Sequence, residues 1–151
     1  MGDLSRNDGT SIMHLPYDFL VIIFRGLDSH IDRDSFGLTC HQWLHVQNFN
    51  RQSLQFACSS TALRSLSSFS QHFDINTFHL HRLLRRFQHL KSLSLPNCSK
   101  LSDSGLTRLL SYGSNLQKLN LDCCLKVTDY GLSLVASGCL SLMSISLYRC
   151  P

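Results

Sequence analysis

The apolar positions at the start of the folded part of the chain predict a short amphipathic helix. Pro16 suits the first helical position, where its missing N–H costs no hydrogen bond. Large apolar residues then recur at i, i+3, i+4 and i+7, namely Leu20, Ile23, Phe24 and Leu27. This spacing places all four side chains on one stripe of a helix. We expect that stripe to face the core of a small helical unit.

A second apolar pattern follows the polar break at residues 28–30. Asp32 or Asp34 is positioned to cap a second helix. The apolar residues of that helix are Leu38, Cys40, Trp43 and Leu44. The first helix also carries Phe19, Val21 and Ile22 outside its main stripe, so it is apolar nearly all round. A unit of about forty residues cannot bury that much surface internally, and we therefore expect a partner to cover part of it.

The second half of the chain contains an internal repeat. The pattern Leu-x-x-Leu-x-Leu-x-x-Cys begins at Leu90 and at Leu116, and it returns with one Ile from Leu142, always 26 positions later. The intervening segments 101–109 and 127–135 also match. A period of 20–29 residues with this spacing is typical of leucine-rich repeats, in which each unit adds a short strand and a helix. The pattern predicts strands within 91–95, 117–121 and 144–147, and helices beginning near 102–103 and 128–129.

The segment from Leu15 to Trp43 resembles a known family motif. It reads Leu-Pro-x-Asp-x-Leu-x-x-Ile-Phe-x-x-Leu, followed by Cys-x-x-Trp, which is similar to the F-box motif. It departs from the motif at His41, where the family usually carries Lys or Arg. The Cys-ended repeats resemble the cysteine-containing leucine-rich-repeat subtype that commonly follows an F-box, in a form that looks plant-like. The resemblance implies an α+β chain, in which a small helical F-box unit precedes a short α/β leucine-rich-repeat solenoid.

The same resemblance suggests how the chain divides. We predict a flexible tail over 1–11, an F-box over 12–52, a connector or solenoid N-terminal cap over 53–78, and a partial repeat array over 79–151. The third repeat completes its strand but lacks a helix at residue 151. We therefore expect a truncated form of a longer protein, or a partner that covers the last repeat.

The function that the resemblance implies is that of a substrate-recognition subunit in an SCF-type E3 ubiquitin ligase. The F-box would bind a Skp-type adaptor, and through it a cullin scaffold, while the repeats bind an unknown protein for ubiquitin-dependent degradation. Two alternatives remain open: a repeat scaffold unconnected with ubiquitin, and a truncated competitor that occupies the adaptor without presenting a target. The residues carried over to the adaptor interface or its immediate support are Leu15, Pro16, Leu20, Ile23, Phe24, Leu27, Leu38, Cys40 and Trp43.

The target would contact the positions between the strand leucines. Most of these residues are small and polar, and solvated strand positions without a ligand are an equally open interpretation. The positions predicted to bind the target are Lys118, Asn120, Asp122 and Tyr148.

Composition limits the remaining possibilities. The chain has 151 residues, of which 43% are hydrophobic and 16% charged, as in folded soluble proteins. Residues 1–11 are polar, unlike a signal peptide, and the longest apolar run, 19–24, is too short to cross a bilayer. Seven cysteines without a Cys-x-x-Cys pair indicate a reducing compartment, the cytoplasm or the nucleus.

No catalytic or cofactor motif is found in the sequence. His41 and His45 have the spacing of a zinc-protease helix, but Gln42 stands where the general-base Glu must be. Cys98, Cys124 and Cys150 lie one repeat apart, which predicts a buried ladder rather than four converging metal ligands. The basic helix near 77–90 is predicted to be a solvated surface rather than a nucleic-acid site. We therefore expect a protein-binding chain that is not an enzyme, with no metal or cofactor and no membrane partner.

Overall fold

The computed structural model describes residues 15–56, 58 and 75–151. Within them, helices are combined with one four-stranded parallel sheet, so the fold is mixed α and β. The chain divides into two compact units, unit 1 (Met1–Asn50) and unit 2 (Arg51–Pro151). The predicted tail over 1–11, residues 12–14 of the predicted F-box and most of the predicted connector lie outside the described residues.

Unit 1 contains three helices in its described part. They are α1 (Tyr17–Gly26), α2 (His30–Phe36) and α3 (His41–Asn50). Pro16 lies at the N-cap of α1, one position before the predicted place. Ser29, rather than Asp32 or Asp34, caps α2, because its side chain accepts hydrogen bonds from Ile31 N and Asp32 N. The predicted second helix is split: Leu38 and Cys40 lie in the turn between α2 and α3.

The core of unit 1 is a small group of large apolar side chains. Its most buried members are Leu20, Phe24, Phe36, Trp43 and Val46, all at most 9% exposed. The Phe36 ring lies 5.2 Å from the Phe24 ring and 4.4 Å from the Trp43 ring, centroid to centroid. Aromatic pairs at such distances stabilise a core beyond the area they bury. The three rings belong to α1, α2 and α3, so their contacts hold these helices against one another.

Unit 2 is built around the parallel sheet. Its strands are β1 (Ser53–Gln55), β2 (Ser92–Ser94), β3 (Lys118–Asn120) and β4 (Ser144–Ser146), and they pair in that order. The central residues Leu54, Leu93, Leu119 and Ile145 are aligned across the sheet. The strands predicted from the repeat are therefore confirmed. The step between aligned residues equals the repeat period from β2 to β3 and from β3 to β4, but it is longer from β1 to β2.

Helices connect successive strands of unit 2. They are α4 (Thr77–Arg86), α5 (Asp103–Leu106), α6 (Leu109–Tyr112) and α7 (Asp129–Gly138). The predicted helix starts are confirmed, since Ser102 precedes α5 and Thr128 precedes α7 as N-cap residues. The Asp103 carboxylate accepts hydrogen bonds from Thr128 N (2.8 Å) and Thr128 Oγ1 (2.6 Å), which links one repeat to the next.

Three residues that follow the strands have a left-handed backbone. Asn97, Cys123 and Arg149 have φ values of 61°, 59° and 56°, and each lies one repeat period after the previous one. Asn97 N donates to Asp122 O and Cys123 N to Tyr148 O, each at 2.8 Å. Asn tolerates this conformation, whereas Cys and Arg adopt it at a cost. The repeat therefore keeps the same backbone geometry at a position where its side chain varies.

Cysteines line the interior of unit 2. Cys98 and Cys124 are fully buried and Cys150 is half-buried, which confirms the predicted ladder for the first two. The Cys124 thiol donates to Leu95 O and the Cys150 thiol to Leu121 O, at 3.2 and 3.1 Å. Burial raises the pKa of the Cys124 and Cys139 thiols from 9.0 to about 11. These thiols remain protonated and act as small apolar groups.

The buried thiols predict an alkaline loss of stability. Between pH 9 and 11 the unfolded chain ionises Cys139 while the folded chain keeps it protonated, so the free energy of unfolding falls as pH rises. Urea unfolding from pH 8 to 10.5 is expected to show a shallower fall for Cys139→Ala than for the unsubstituted chain. Leu125→Ala, at a site that is 67% exposed and carries no ionisable group, serves as the control and is expected to keep the original slope. Parallel curves for Cys139→Ala and the unsubstituted chain would contradict the assignment.

Gly138 tests the close packing of α7 against α6, and Gly26 in α1 serves as the control. A Cβ built on Gly138 would lie 2.6 Å from both Leu109 O and Leu110 Cα, whereas one built on Gly26 meets nothing within 4 Å. Gly138→Ala is expected to lower the free energy of unfolding by about 1–3 kcal/mol, because the backbone of α6 must move. Gly26→Ala is expected to be neutral or to stabilise by up to about 1 kcal/mol. Thermal unfolding of both variants measures the difference, and equal effects would contradict it.

Candidate functional site

One face of α1 is apolar and open to solvent. Phe19, Ile22 and Ile23 lie at i, i+3 and i+4 and are 59%, 66% and 39% exposed. The opposite face carries Leu20 and Phe24, which are 0% and 3% exposed. A ten-residue helix thus uses one face for the core and leaves three large apolar groups in water. Exposed apolar groups that are contiguous in this way mark an interaction surface.

The turn between α2 and α3 adds a further exposed apolar group. Leu38 is 85% exposed, although it is a large aliphatic side chain. The helix before this turn is held against α3, because the buried Gln47 side chain donates to Arg33 O at 2.6 Å and to Asp34 O at 3.4 Å. Leu38 therefore follows a segment that α3 holds in position.

The structure sorts the nine residues predicted for adaptor binding. Leu20, Phe24 and Trp43 belong to the core of unit 1 and are buried. Leu15, Leu27 and Cys40 are half-buried and pack against that core. The remaining three, Pro16, Ile23 and Leu38, are exposed. The sequence pattern alone did not make this division, because Leu20 and Ile23 occupy the same predicted stripe.

The start of the motif is held by a long-range hydrogen bond. The Gln42 side chain donates to Leu15 O at 3.1 Å and so joins the segment before α1 to the start of α3. Arg33 Nε donates to Leu27 O at 2.6 Å at the other end of α1. Both ends of the exposed α1 face are thereby positioned by side chains of the later helices. Gln42, which excludes a zinc-protease site, has a structural role instead.

Two exposed residues were not among the predicted contacts. Phe19 and Ile22 fall outside the stripe that defined the motif, yet they are more exposed than Ile23. The signal that identifies them is already in the sequence: a helix that is apolar all round has apolar residues left over after the core is formed. Only the structure shows which stripe of α1 packs into the core.

A second candidate surface is the open side of the sheet in unit 2. Leu93 and Leu119 point into the core, so the alternate residues of the same strands point outward. Among the predicted target-binding residues, Lys118 is exposed and Tyr148 is 63% exposed. The Arg149 guanidinium lies 5.1 Å from the centre of the Tyr148 ring. The candidate surface therefore includes the Lys118 ammonium group and the Tyr148 ring with the Arg149 guanidinium beside it.

The other two predicted residues are joined to each other and to the next strand. The Asp122 carboxylate accepts hydrogen bonds from Ser146 Oγ (2.6 Å), Tyr148 N (2.8 Å) and Asn120 Nδ2 (3.1 Å). The hydrogen bond from Ser146 lowers the pKa of Asp122, and those from Tyr148 N and Asn120 add to the effect. Asp122 thus holds the end of β3 against the segment after β4. Its lone pairs are largely used within the fold.

Neither a metal site nor a membrane-spanning helix occurs in the described part of the chain. In residues 15–56, 58 and 75–151, no group of three His, Cys, Asp or Glu side chains is placed to hold a metal ion. The helices in these ranges are too short or too polar for any to span a membrane.

Comparison with known proteins relates the chain to a plant F-box/LRR-repeat protein. No protein-family profile matches the chain. The chain is 51% identical over 153 aligned residues to F-box/LRR-repeat protein 12 of Arabidopsis thaliana. The alignment covers 99% of this chain and 39% of that protein. The chain thus spans about two fifths of the length of the relative it matches, and both predicted units lie within the aligned region.

Proposed function

We infer that this chain, an F-box/leucine-rich-repeat protein by its 51% identity to such a protein, is a subunit that connects a target protein to an SCF-type ubiquitin ligase. In this proposal unit 1 is the F-box and binds a Skp-type adaptor, which connects it to a cullin scaffold. Unit 2 is a leucine-rich-repeat solenoid that presents the target for ubiquitin-dependent degradation. The chain acts by binding rather than by catalysis, in the cytoplasm or the nucleus.

The observation that carries the proposal is the exposed apolar face of α1. Fully burying one large apolar side chain contributes about 1.5–3 kcal/mol, so Phe19, Ile22 and Ile23 together supply several kcal/mol on binding. Leu38 adds a further exposed apolar side chain in the turn between α2 and α3. Helices with such faces associate with apolar grooves of partner proteins. The F-box of the related protein gives this partner its proposed identity, a Skp-type adaptor.

The proposal for unit 2 rests on its parallel sheet. The strands β2, β3 and β4 lie one repeat apart and are aligned residue for residue, and helices follow β2 and β3. Stacked units of this kind form extended binding surfaces. Lys118 and Tyr148 are the proposed direct contacts to the target, while Asn120 and Asp122 keep the surface rigid through their hydrogen bonds.

Titration of the whole chain with a purified Skp-type adaptor tests the first step. We expect a one-to-one complex with a dissociation constant in the micromolar range or below, detectable by calorimetry. Addition of a cullin is then expected to give a ternary complex in gel filtration. A folded chain that does not bind the adaptor would exclude the ligase role and would support a repeat scaffold unconnected with ubiquitin.

A further inference from the structure

A groove in unit 2 is lined mainly by one helix. It has a volume of about 540 Å³, and its walls are Phe56, His79, Arg82, Leu83, Arg85 and Arg86. All except Phe56 belong to α4, and the three arginines are exposed. Phe56 and Leu83 are half-buried and pack against the core. The groove therefore combines three guanidinium groups with a small apolar floor.

Unit 2 has a large excess of basic over acidic residues. Eleven of the fourteen Lys and Arg residues of the chain lie in unit 2, but only four of the ten Asp residues. Unit 1 has the opposite balance, with three basic and six acidic residues. Two of the acidic groups of unit 2, Asp103 and Asp122, already accept hydrogen bonds within the fold. Among the described residues that line the groove, none is acidic.

The arginines of the groove are partly ordered by aromatic rings. The Arg82 guanidinium lies 5.8 Å from the centre of the Phe78 ring, and that of Arg86 lies 4.9 Å from the Phe87 ring. Contacts of this kind reduce the freedom that a long side chain loses on binding. The negative end of the helix dipole favours Arg85 and Arg86 in the last turn, but Arg82 lies three positions before Arg85 and repels it. A bound anion would remove that repulsion.

We propose that this groove binds a short acidic segment of a protein, in which carboxylates flank an apolar side chain. Guanidinium groups bind carboxylates through paired hydrogen bonds, and Phe56 with Leu83 provides the contact for the apolar residue. The identification of that protein as a target for ubiquitination rests on the function proposed above. Binding of the acidic segment to the groove does not depend on that function.

The size of the groove favours a peptide over a nucleic acid. The lining residues of α4 extend from His79 to Arg86, which is about 10 Å at a rise of about 1.5 Å per residue. An extended peptide covers that length with about three residues. Proteins that bind single-stranded nucleic acids use sites of several nucleotides and stack bases on aromatic side chains. Among the described lining residues the only phenyl ring is that of Phe56, and it is half-buried.

Fluorescence polarisation of a labelled pentapeptide, Asp-Glu-Leu-Asp-Glu, with the whole chain tests the proposal. We expect saturable binding that weakens as salt is raised, and no binding of the neutral peptide Asn-Gln-Leu-Asn-Gln. The double variant Arg82→Gln with Arg85→Gln is expected to weaken binding at least about tenfold, because each removes a charge-assisted hydrogen bond. Lys100→Gln with Lys126→Gln, which removes equal charge at exposed positions outside the groove, is expected to change it less than about twofold.

Four results would overturn the proposal: no binding of the acidic peptide, equal losses in the two double variants, unchanged binding after substitution of the arginines, or tighter binding of a labelled single-stranded RNA that competes with the peptide. Circular dichroism confirms that both variants are folded. Adaptor titration of the same samples separates the two proposals. Peptide binding without adaptor binding would refute only the ligase role, and adaptor binding without peptide binding would refute only the groove.

Discussion

Replacing both Phe19 and Ile22 by serine is expected to abolish binding to a Skp-type adaptor while unit 1 remains folded. The two side chains are 59% and 66% exposed, so their loss removes little from the core. Each contributes about 1.5–3 kcal/mol when an apolar groove covers it, or about 3–6 kcal/mol together. That corresponds to a loss of affinity of roughly 100-fold to 10,000-fold. Calorimetric titration with the adaptor measures the loss.

A matched control for this variant is available in unit 2. Leu125 and Tyr130 are 67% and 65% exposed, and replacing both by serine removes a similar apolar area from the surface. The control is expected to bind the adaptor with unchanged affinity. If it lost as much affinity as the α1 variant, or if the α1 variant bound normally, the assignment of the interface to α1 would be refuted.

The second large effect is expected from Phe24→Ala. The Phe24 side chain is 3% exposed and packs on the Phe36 ring, so its removal leaves a cavity in the core of unit 1. Phe-to-Ala substitutions in protein cores cost about 3–5 kcal/mol, which is a large fraction of the stability of a small unit. Thermal unfolding followed by circular dichroism is expected to show a lower midpoint or a loss of helical signal. Adaptor binding is expected to fall in proportion to the unfolded fraction.

Comparison with Phe19→Ala distinguishes support from contact. Both substitutions remove a phenyl group from α1, but only one removes it from the core. Phe19→Ala is expected to keep the unfolding midpoint within a few degrees and to weaken adaptor binding directly. An unchanged midpoint for Phe24→Ala would show that the core described here is not the one that stabilises unit 1.

The repeat was the part of the fold most fully predictable from sequence. Its constant period determines which leucines align, and the structure aligns Leu93, Leu119 and Ile145 as expected. The N-cap positions Ser102 and Thr128 were predictable for the same reason, because side-chain oxygens before an apolar run mark helix starts. The Thr128 side chain caps α7 by accepting a hydrogen bond from Tyr130 N, whereas the Ser102 side chain makes no such bond to α5.

The sequence predicted a set of residues for the candidate site, but not which of them are exposed. The motif from Leu15 to Trp43 contains both core and surface groups, and helical spacing alone cannot tell them apart when a helix is apolar all round. Leu20 and Ile23 are both large aliphatic residues on α1, but one is 0% and the other 39% exposed. The difference arises from the packing of α1 against α3, which depends on side chains that are distant in sequence. The basic helix near 77–90 was predicted to be a solvated surface, because its sequence does not show that Phe56, outside the helix, completes a groove with the arginines.

The register of the sheet has a consequence for engineering. Ser53 aligns with Ser92 and Ser92 with Lys118, and the first of these steps along the chain is half as long again as the second. The two strand pairs are nevertheless equally regular, so the fold accepts a longer connection between neighbouring strands without a change of pairing. Lengthening a connection costs little closure entropy, because that cost grows only with the logarithm of length. The connections between β2 and β3 and between β3 and β4 are thus candidates for the insertion of foreign loops or reporter peptides.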